Sequence, residues 1–464
     1  MMTELTNFIG GKWVPSHTSD VLQTVDPSTE QVVALLPAGC SADVDAAVEA
    51  AKAAQTGWCN TPLGERLALL EAMAVDIESI AGELAELEHR EMGKPVSIAR
   101  MFIDAGLAAF REGLADARSY AFTEESTSHP DGRSFVVHNP IGVVAKIVPW
   151  NVTVAQTLLG LAAILSAGNT VVIKPSEKAS LSAQRMFEVI DLPPGVVNLL
   201  LGDRRAGDPL SNHPDVGLVH FTGSVTTGRS VAAAAARKLH RTVLELGGND
   251  AAIVDEDVSV ADTATAVAVG CFANTGQICN SIERIYVHRS IFTEFAAALA
   301  AEARAVTDQL GPLVDRHQRD VVVRHVDDAV SRGATVLAGG SVPDRRGFFY
   351  PATVLVDIPS DCLLMREETF GPVAPLIAFD DFDEALALAA EGEFGLAATL
   401  FSNNAEHITR SGTLPVGVLW VNKWQGGSVN RCYEPAGISG VGAAGGRAAF
   451  DASTRPSTIF IAAP

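Results

Sequence analysis

Positive charge is scarce in this sequence: 34 Lys and Arg stand against 55 Asp and Glu, a formal net charge of −21. Nucleic-acid binding needs clustered Lys and Arg to neutralise phosphates, and no basic run is present, so that class is excluded. An anionic cofactor stays compatible, because a nest of backbone N–H groups binds phosphate on an acidic protein. Cysteine is also sparse. Its six copies (Cys40, Cys59, Cys271, Cys279, Cys362, Cys432) form no C-x-x-C pair. That excludes a zinc ribbon and a disulfide framework, and fits a reducing cytoplasm. Long apolar runs are missing. The longest, 152–167, is interrupted by Thr153, Gln156, Thr157 and Ser166, which is short for a membrane span and predicts a buried helix. The first residues show no basic stretch followed by an apolar one, so no signal peptide is expected. G-x-x-x-x-G-K-[ST], G-x-S-x-G and H-E-x-x-H are absent, and the 11 histidines show no metal-ligand spacing, so no metal is expected.

What remains is an ordinary globular composition, 47% hydrophobic and 19% charged, on a chain of 464 residues, enough for two or three domains. Aromatics are only 6%, and abundant Ala points to helices packed closely on sheets. Residues 43–118 have helical periodicity almost throughout, stopped by Gly93 and Pro95. Residues 126–132 turn to Ser, Thr, His, Pro and Gly, and 134–150 alternate as a strand pair would. From there β-branched strands alternate with Ala-rich helices, the pattern of a doubly wound parallel sheet. A second alternating set begins at 251, so two α/β halves are expected to meet near Leu246-Gly247-Gly248.

Several residues in this frame have chemical potential. Cys279, in NTGQICN, has polar, turn-like neighbours; a thiolate there would be a carbonyl nucleophile, although a free cysteine is commonly a small core residue. Glu245 ends an apolar strand just before two glycines. At a strand C-terminus, where open sheets bind ligands, it would serve as a general base; the alternative is a turn cap. Asn151, in VPWN, offers an amide to an oxyanion or simply caps a helix. Lys174, Ser176 and Glu177 follow another strand and would suit ribose hydroxyls, the carboxylate disfavouring a 2′-phosphate. Phe221-Thr222-Gly223-Ser224 ends a strand and opens a helix, an arrangement suited to phosphate. Gly440, Gly442 and Gly445 spell G-x-G-x-x-G, but no strand is expected before them and too little chain follows, so they read as a glycine-rich loop. The acidic run 380–384 reads as a solvated helix start.

Taken in order, FIGGKWV, VDPSTE, VPWN, AGNTVVIKPSE, LPPGVVNLL, FTGS, LELGG, NTGQICN, EETFGPV and SGVG resemble the aldehyde dehydrogenase superfamily over nearly the whole chain. The resemblance implies an α/β fold of two doubly wound open-sheet domains plus a small β oligomerisation arm. The cofactor domain would take 1–125 and 140–245, the catalytic domain 246–436, and the arm 126–139 with 455–464, giving homodimers or homotetramers. It also implies Cys279 as nucleophile, Glu245 as general base and Asn151 as oxyanion amide. NAD, with NADP as the alternative, would contact Pro149, Trp150, Lys174, Ser176, Glu177, Phe221, Gly223, Ser224, Leu246, Glu368 and Phe370. The substrate tunnel would be lined by Val152, Gln156, Leu159, Ala273, Ile278, Asn280 and Trp424.

The implied reaction runs through a thioester on Cys279 to a carboxylic acid, with no membrane and no nucleic acid as partner. GQICNSIERIYV and the SGVGAAGGR tail are most similar to the lactaldehyde and glycolaldehyde branch, implying a small hydroxy-aldehyde, with benzaldehyde-type and semialdehyde substrates as the alternatives. Three departures from the family pattern stand out: Asn249-Asp250 after ELGG, a short stretch 307–310, and a P-x-G-G-x-K-x-S-G segment that is either reduced to EPAGISG or absorbed into GISGVGAAG in another register. Two other classes compete, a catalytically silent scaffold and a coenzyme A-acylating semialdehyde dehydrogenase. Retention of Cys279, Glu245 and Asn151 together argues against the first, and Glu245 against the second.

Overall fold

The computed structural model describes residues 3–129, 131–428 and 430–463. The outermost residues of the expected segments (1–2 and 464) and Pro130 lie outside the described residues. The helical region resolves into Ser41–Asn60, Leu63–Ser79, Ala81–Met92 and Val96–Ser119. Gly93, at φ 81°, closes the third of these in the left-handed conformation that glycine adopts without strain. Pro95 then stands just before the fourth, where its missing N–H is harmless.

One sheet has eight strands, in the order Gly440–Val441, Arg241–Glu245, Val216–Thr222, Val143–Val148, Thr170–Pro175, Val197–Leu199, Asn7–Ile9, Lys12–Val14. Its five central strands are parallel. From Val143–Val148 the chain winds to one side through Thr170–Pro175 and to the other through Val216–Thr222. The direction reverses between the two neighbours Val143–Val148 and Val216–Thr222, which opens a crevice at their C-terminal ends. A second sheet of seven strands contains Asp250–Val254, Ile282–His288, Val373–Phe379 and Ala397–Phe401 in parallel. Separate apolar clusters cover the faces of each sheet, because strands buried on both faces are apolar throughout.

A third sheet joins Thr123–His129, Gly132–Pro140 and Thr454–Ala462, all antiparallel. Its outer strand exposes Ile459, Phe460 and Ile461.

The structure corrects three expectations. Residues 134–150 are not a strand pair. Gly132–Pro140 belongs to the three-stranded sheet and Val143–Val148 to the eight-stranded one, because the chain changes layers at Ile141-Gly142. The buried stretch 152–167 is not one helix but two, Thr153–Leu158 and Leu161–Ser166, broken where Gly160 takes φ 73°. The glycine-rich tail is more than a loop: Gly440–Val441 pairs antiparallel with Arg241–Glu245, setting Gly440 opposite Glu245. The acidic run does start a helix, Phe382–Ala390, capped by Asp381.

Candidate active site

Helix Val260–Phe272 runs into a turn in which Asn274, Thr275 and Gly276 take φ 51°, 59° and 70°. Two non-glycine residues in this region store about 1–3 kcal/mol each, and buried hydrogen bonds offset it. Asn274 Nδ2 donates to Gln277 O at 3.1 Å and Asn151 O at 3.3 Å, Thr275 Oγ1 donates to Gly311 O at 3.0 Å, and Gln277 Oε1 accepts from Val314 N at 2.9 Å. A Cβ on Gly276 would lie 2.1 Å from Gly371 O, so this chain must approach its neighbour without a side chain. The turn delivers Cys279 to a cavity of about 400 Å³ between the two large sheets. Burial pushes the Cys279 thiol up, and the carboxyls of Glu368, Asp250 and Glu245 push it the same way.

Asn151 enters the same cavity from the C-terminal end of Val143–Val148. Its Nδ2 donates to Gln277 O at 3.0 Å, and its buried Oδ1 has no partner. A buried ion pair fastens this loop. Lys94, paired with Glu88, donates to Asn151 O at 2.8 Å, while Glu88 Oε1 accepts from Val154 N at 3.0 Å.

Glu245 closes the third side. It is buried, its Oε2 accepts from the Tyr433 hydroxyl at 2.9 Å, and its Oε1 has no partner. Burial pushes its carboxyl up to about 8, against the Tyr433 hydrogen bond and the nearby Lys146 charge. Cys279, Asn151 and Glu245, expected from the sequence, thus meet on one cavity wall.

Of the expected substrate-lining residues, Val152, Gln156, Leu159, Ile278 and Asn280 line this cavity. Ala273 and Trp424 do not. Ala273 packs on the core of the second sheet, and Trp424 sits behind Asn280, donating its indole N–H to Asn280 O at 2.8 Å. Side chains that sequence reasoning passed over complete the wall, among them Phe102, Trp420, His220, Arg431 and Tyr433.

Beside it lies the crevice predicted for the cofactor. Ser224 caps helix Val225–Lys238, accepting from Thr227 N at 3.3 Å, and Gly223 N donates to Glu245 O at 3.1 Å. Fourteen aligned peptides place positive potential at that N-terminus. Phe221 is buried beneath the turn, where a Cβ on Gly223 would meet its ring at 2.6 Å. Leu246 is buried against Gly228, holding the helix close to the sheet.

Pro149 and Trp150 follow the central strand. The Trp150 ring meets Phe370 edge-on at 5.5 Å, and the Lys178 ammonium lies over its face at 5.7 Å. Glu368 reaches from the second sheet to accept from Gly248 N at 3.1 Å. Glu283, also unanticipated, orders the Glu368 loop by accepting from Thr369 N at 2.9 Å and Phe370 N at 2.8 Å. Ser176 and Glu177 are half-buried at the end of Thr170–Pro175. Lys174 ends the same strand. It is buried, and Nζ donates to Pro175 O at 2.9 Å and Gly202 O at 2.5 Å, since a desolvated ammonium needs such acceptors.

Lys146 and His220 had a signal that went unused, since each interrupts an apolar strand, VVAKIV and VGLVHFT. They pair in register, with Lys146 Nζ donating to Leu159 O at 2.8 Å and lying 3.5 Å from His220 Nδ1. Tyr433 had none, because it stands in the segment whose register the sequence leaves open.

These features define an enzyme with a cysteine, an amide and a carboxyl around one cavity beside a dinucleotide-type crevice. Residues 13–459 match the model of the Aldehyde dehydrogenase family, and the chain belongs to that family. It is 36% identical over 459 residues to a chloroplastic aminoaldehyde dehydrogenase of Arabidopsis thaliana, covering 94% of this chain and 90% of the relative. Its fold is similar to that of lactaldehyde dehydrogenase from Escherichia coli, with TM-score 0.96, 30% identity, and coverage of 99% of this chain and 100% of the other. It is also similar to betaine aldehyde dehydrogenase from Staphylococcus aureus in complex with NAD+, with TM-score 0.94, 29% identity, and coverage of 98% and 94%. The mixed α/β architecture is that of the family, with its Rossmann-like and catalytic units. Among the described residues no helix is long and apolar enough to cross a membrane.

Proposed function

We propose that the protein oxidises a short polar aldehyde to its carboxylic acid through a thioester on Cys279. The observation that carries this reading is the meeting of Cys279, Asn151 and Glu245 on one cavity wall, with Glu245 Oε1 buried and unpartnered. Among the described residues Glu245 is the only carboxyl on that wall. It takes the thiol proton, and the thiolate adds to the aldehyde carbon. Asn151 Nδ2 keeps one hydrogen on Gln277 O and turns the other to the oxyanion, beside the Cys279 backbone N–H. Loss of hydride from the adduct carbon leaves the thioester. Glu245 releases the thiol proton to solvent and, ionised again, takes a proton from water; the resulting hydroxide adds to the thioester carbonyl, and the C–S bond breaks to free the acid and restore the Cys279 thiolate. Gln156 and Asn280 supply amides for a polar substituent on that aldehyde.

The crevice residues fit NAD: a capped helix N-terminus for the pyrophosphate, Glu177 for a free ribose hydroxyl, and Glu368 with Phe370 for the nicotinamide end. When bound, NAD accepts the hydride. The NAD+ complex of the Staphylococcus aureus relative supports this choice. The exposed apolar strand Thr454–Ala462 supports assembly into dimers or tetramers, since such an edge is a template for pairing. Retention of Glu245 favours hydrolysis over transfer to coenzyme A.

The test is absorbance of reduced cofactor with NAD or NADP and a panel of aldehydes, beside Cys279→Ser. Turnover lost in that variant supports the reading. Turnover that survives it, or none with any aldehyde, removes it.

A further inference from the structure

The cavity wall is electrostatically lopsided. Among the described residues its one carboxyl, Glu245, is committed to the chemistry and tied to Tyr433, and its one permanent cation is Arg431. His220, the other basic group on the wall, is held neutral by burial and by the adjacent Lys146. A positively charged aldehyde would find no free carboxylate among the described residues of this wall and would share the wall with the Arg431 cation.

Some arginines of this chain pair with carboxylates, as Arg111, Arg133 and Arg289 do, while others, Arg66 and Arg284 among them, are held by backbone carbonyls; Arg431 is of the second kind, and it lines the cavity. Arg431 has no carboxylate within ion-pair distance among the described residues. Its Nη1 donates to two loop carbonyls, Gly426 O at 3.0 Å and Ser428 O at 2.6 Å. Its Nε and Nη2 donate to no described atom. The nearest acid on helix Val96–Ser119, Glu112, is engaged by Ser428 Oγ and Asn430 N instead.

The guanidinium is also held in place, its carbon 5.3 Å from the centre of the Trp420 ring. A planar cation stacked on an aromatic, anchored through one nitrogen and free at two others, is set up for a two-pronged hydrogen bond to a carboxylate. Burial lowers the Arg431 pKa, against the smaller opposing effects of Tyr433 and Glu112, the mark of a cation partly stripped of water.

We propose that the substrate is an aldehyde acid, whose carboxylate is held by Arg431 while its aldehyde carbon is presented to Cys279. The inference rests on the aldehyde oxidation proposed above and narrows its substrate class. Arg431 acts in recognition and takes no part in bond making.

The test compares kcat/KM for 4-oxobutanoate and 5-oxopentanoate with butanal, 4-aminobutanal and glycolaldehyde, in the wild type and in Arg431→Met and Arg431→Lys. Equilibrium binding of succinate to the Cys279→Ser protein is measured alongside. The expected result is an oxo acid favoured over butanal by about 10- to 100-fold, the range of a charge-assisted pair. That ratio should collapse in Arg431→Met through KM, recover in part in Arg431→Lys, and succinate binding should be lost with the arginine. Thermal melts of both variants matched to the wild type exclude unfolding as the cause.

Butanal, glycolaldehyde or the amino-aldehyde equal to or ahead of the oxo acids would overturn the inference and leave aldehyde oxidation standing. So would an oxo acid preference that survives Arg431→Met. If no aldehyde is oxidised, the broader reading fails, and succinate binding then decides Arg431 by itself: binding abolished by Arg431→Met retains the anion site, and no binding removes it.

Discussion

The hydroxyl of Tyr433 donates to Oε2 of Glu245 at 2.9 Å, and the other carboxyl oxygen faces no described partner. The bond crosses from the shortened C-terminal segment to the end of a central strand. It leaves a single oxygen for the water of hydrolysis. Tyr433→Phe should therefore keep the ring and loosen the carboxyl. Since the hydrogen bond holds the Glu245 pKa down, its loss moves the rising limb of the kcat–pH profile to higher pH. At neutral pH kcat should fall by about 3- to 30-fold, the equivalent of a hydrogen bond to a charged group. A rapid first turnover of reduced cofactor followed by slow hydrolysis would locate the defect after the thioester.

The wild-type profile has a definite sign. Glu245 must be ionised to take a proton, and burial pushes its carboxyl up to about 8, so the hydrolytic rate should climb between pH 7 and 9. Stability runs the other way. A carboxyl raised in the folded state contributes stability that is full below its unfolded value near 4.5 and is lost as pH rises through about 8. Paired kcat and thermal-melt measurements across this window check both slopes.

Lys146 is fully buried on the same face of the sheet and is pushed down by burial to about 7. Its positive charge favours the ionised form of Glu245. Lys146→Met removes that charge and should move the rising limb further upward, beyond the wild-type midpoint. An unmoved limb with merely lower stability would show that Lys146 serves packing alone.

At Gly247 a Cβ would lie 2.1 Å from Glu368 Oε2, so Gly247→Ala must displace that carboxyl from Gly248 N. NAD affinity should weaken by about 10-fold, on the scale of one lost charge-assisted contact, with the melting temperature little changed. Titration calorimetry with NAD reads the first and a thermal scan the second.

Gly276→Ala meets two obstacles, φ 70° and a Cβ 2.1 Å from Gly371 O. The cost is about 2–4 kcal/mol in unfolding experiments, from strain and overpacking together. Because the displaced backbone carries Cys279, alkylation of that thiol should change rate in the same variant.

Much of the architecture was legible because burial on both faces writes itself into strands. VVAKIV, TVVIKP and VGLVHFT are apolar almost throughout, and the glycines within ELGG and FTGS mark strand ends. The chain's change of layer at Ile141-Gly142 was not legible, since alternation is the same in a strand whichever sheet receives it. Nor was the break at Gly160, because an apolar stretch with helical spacing carries no sign of a left-handed residue except the glycine itself.

Local chemistry on the sequence thus determined the elements and pointed to Cys279, Glu245 and Asn151, for the motifs that hold them are short and continuous. Only the tertiary structure decided what surrounds them. Tyr433 stands 188 residues from Glu245, and Gln277 stands 126 from Asn151. The strand register that sets Lys146 beside His220 spans 74 residues. Such partners share no local signal, because the pairing comes from the crossing of strands and loops in space rather than from order along the chain.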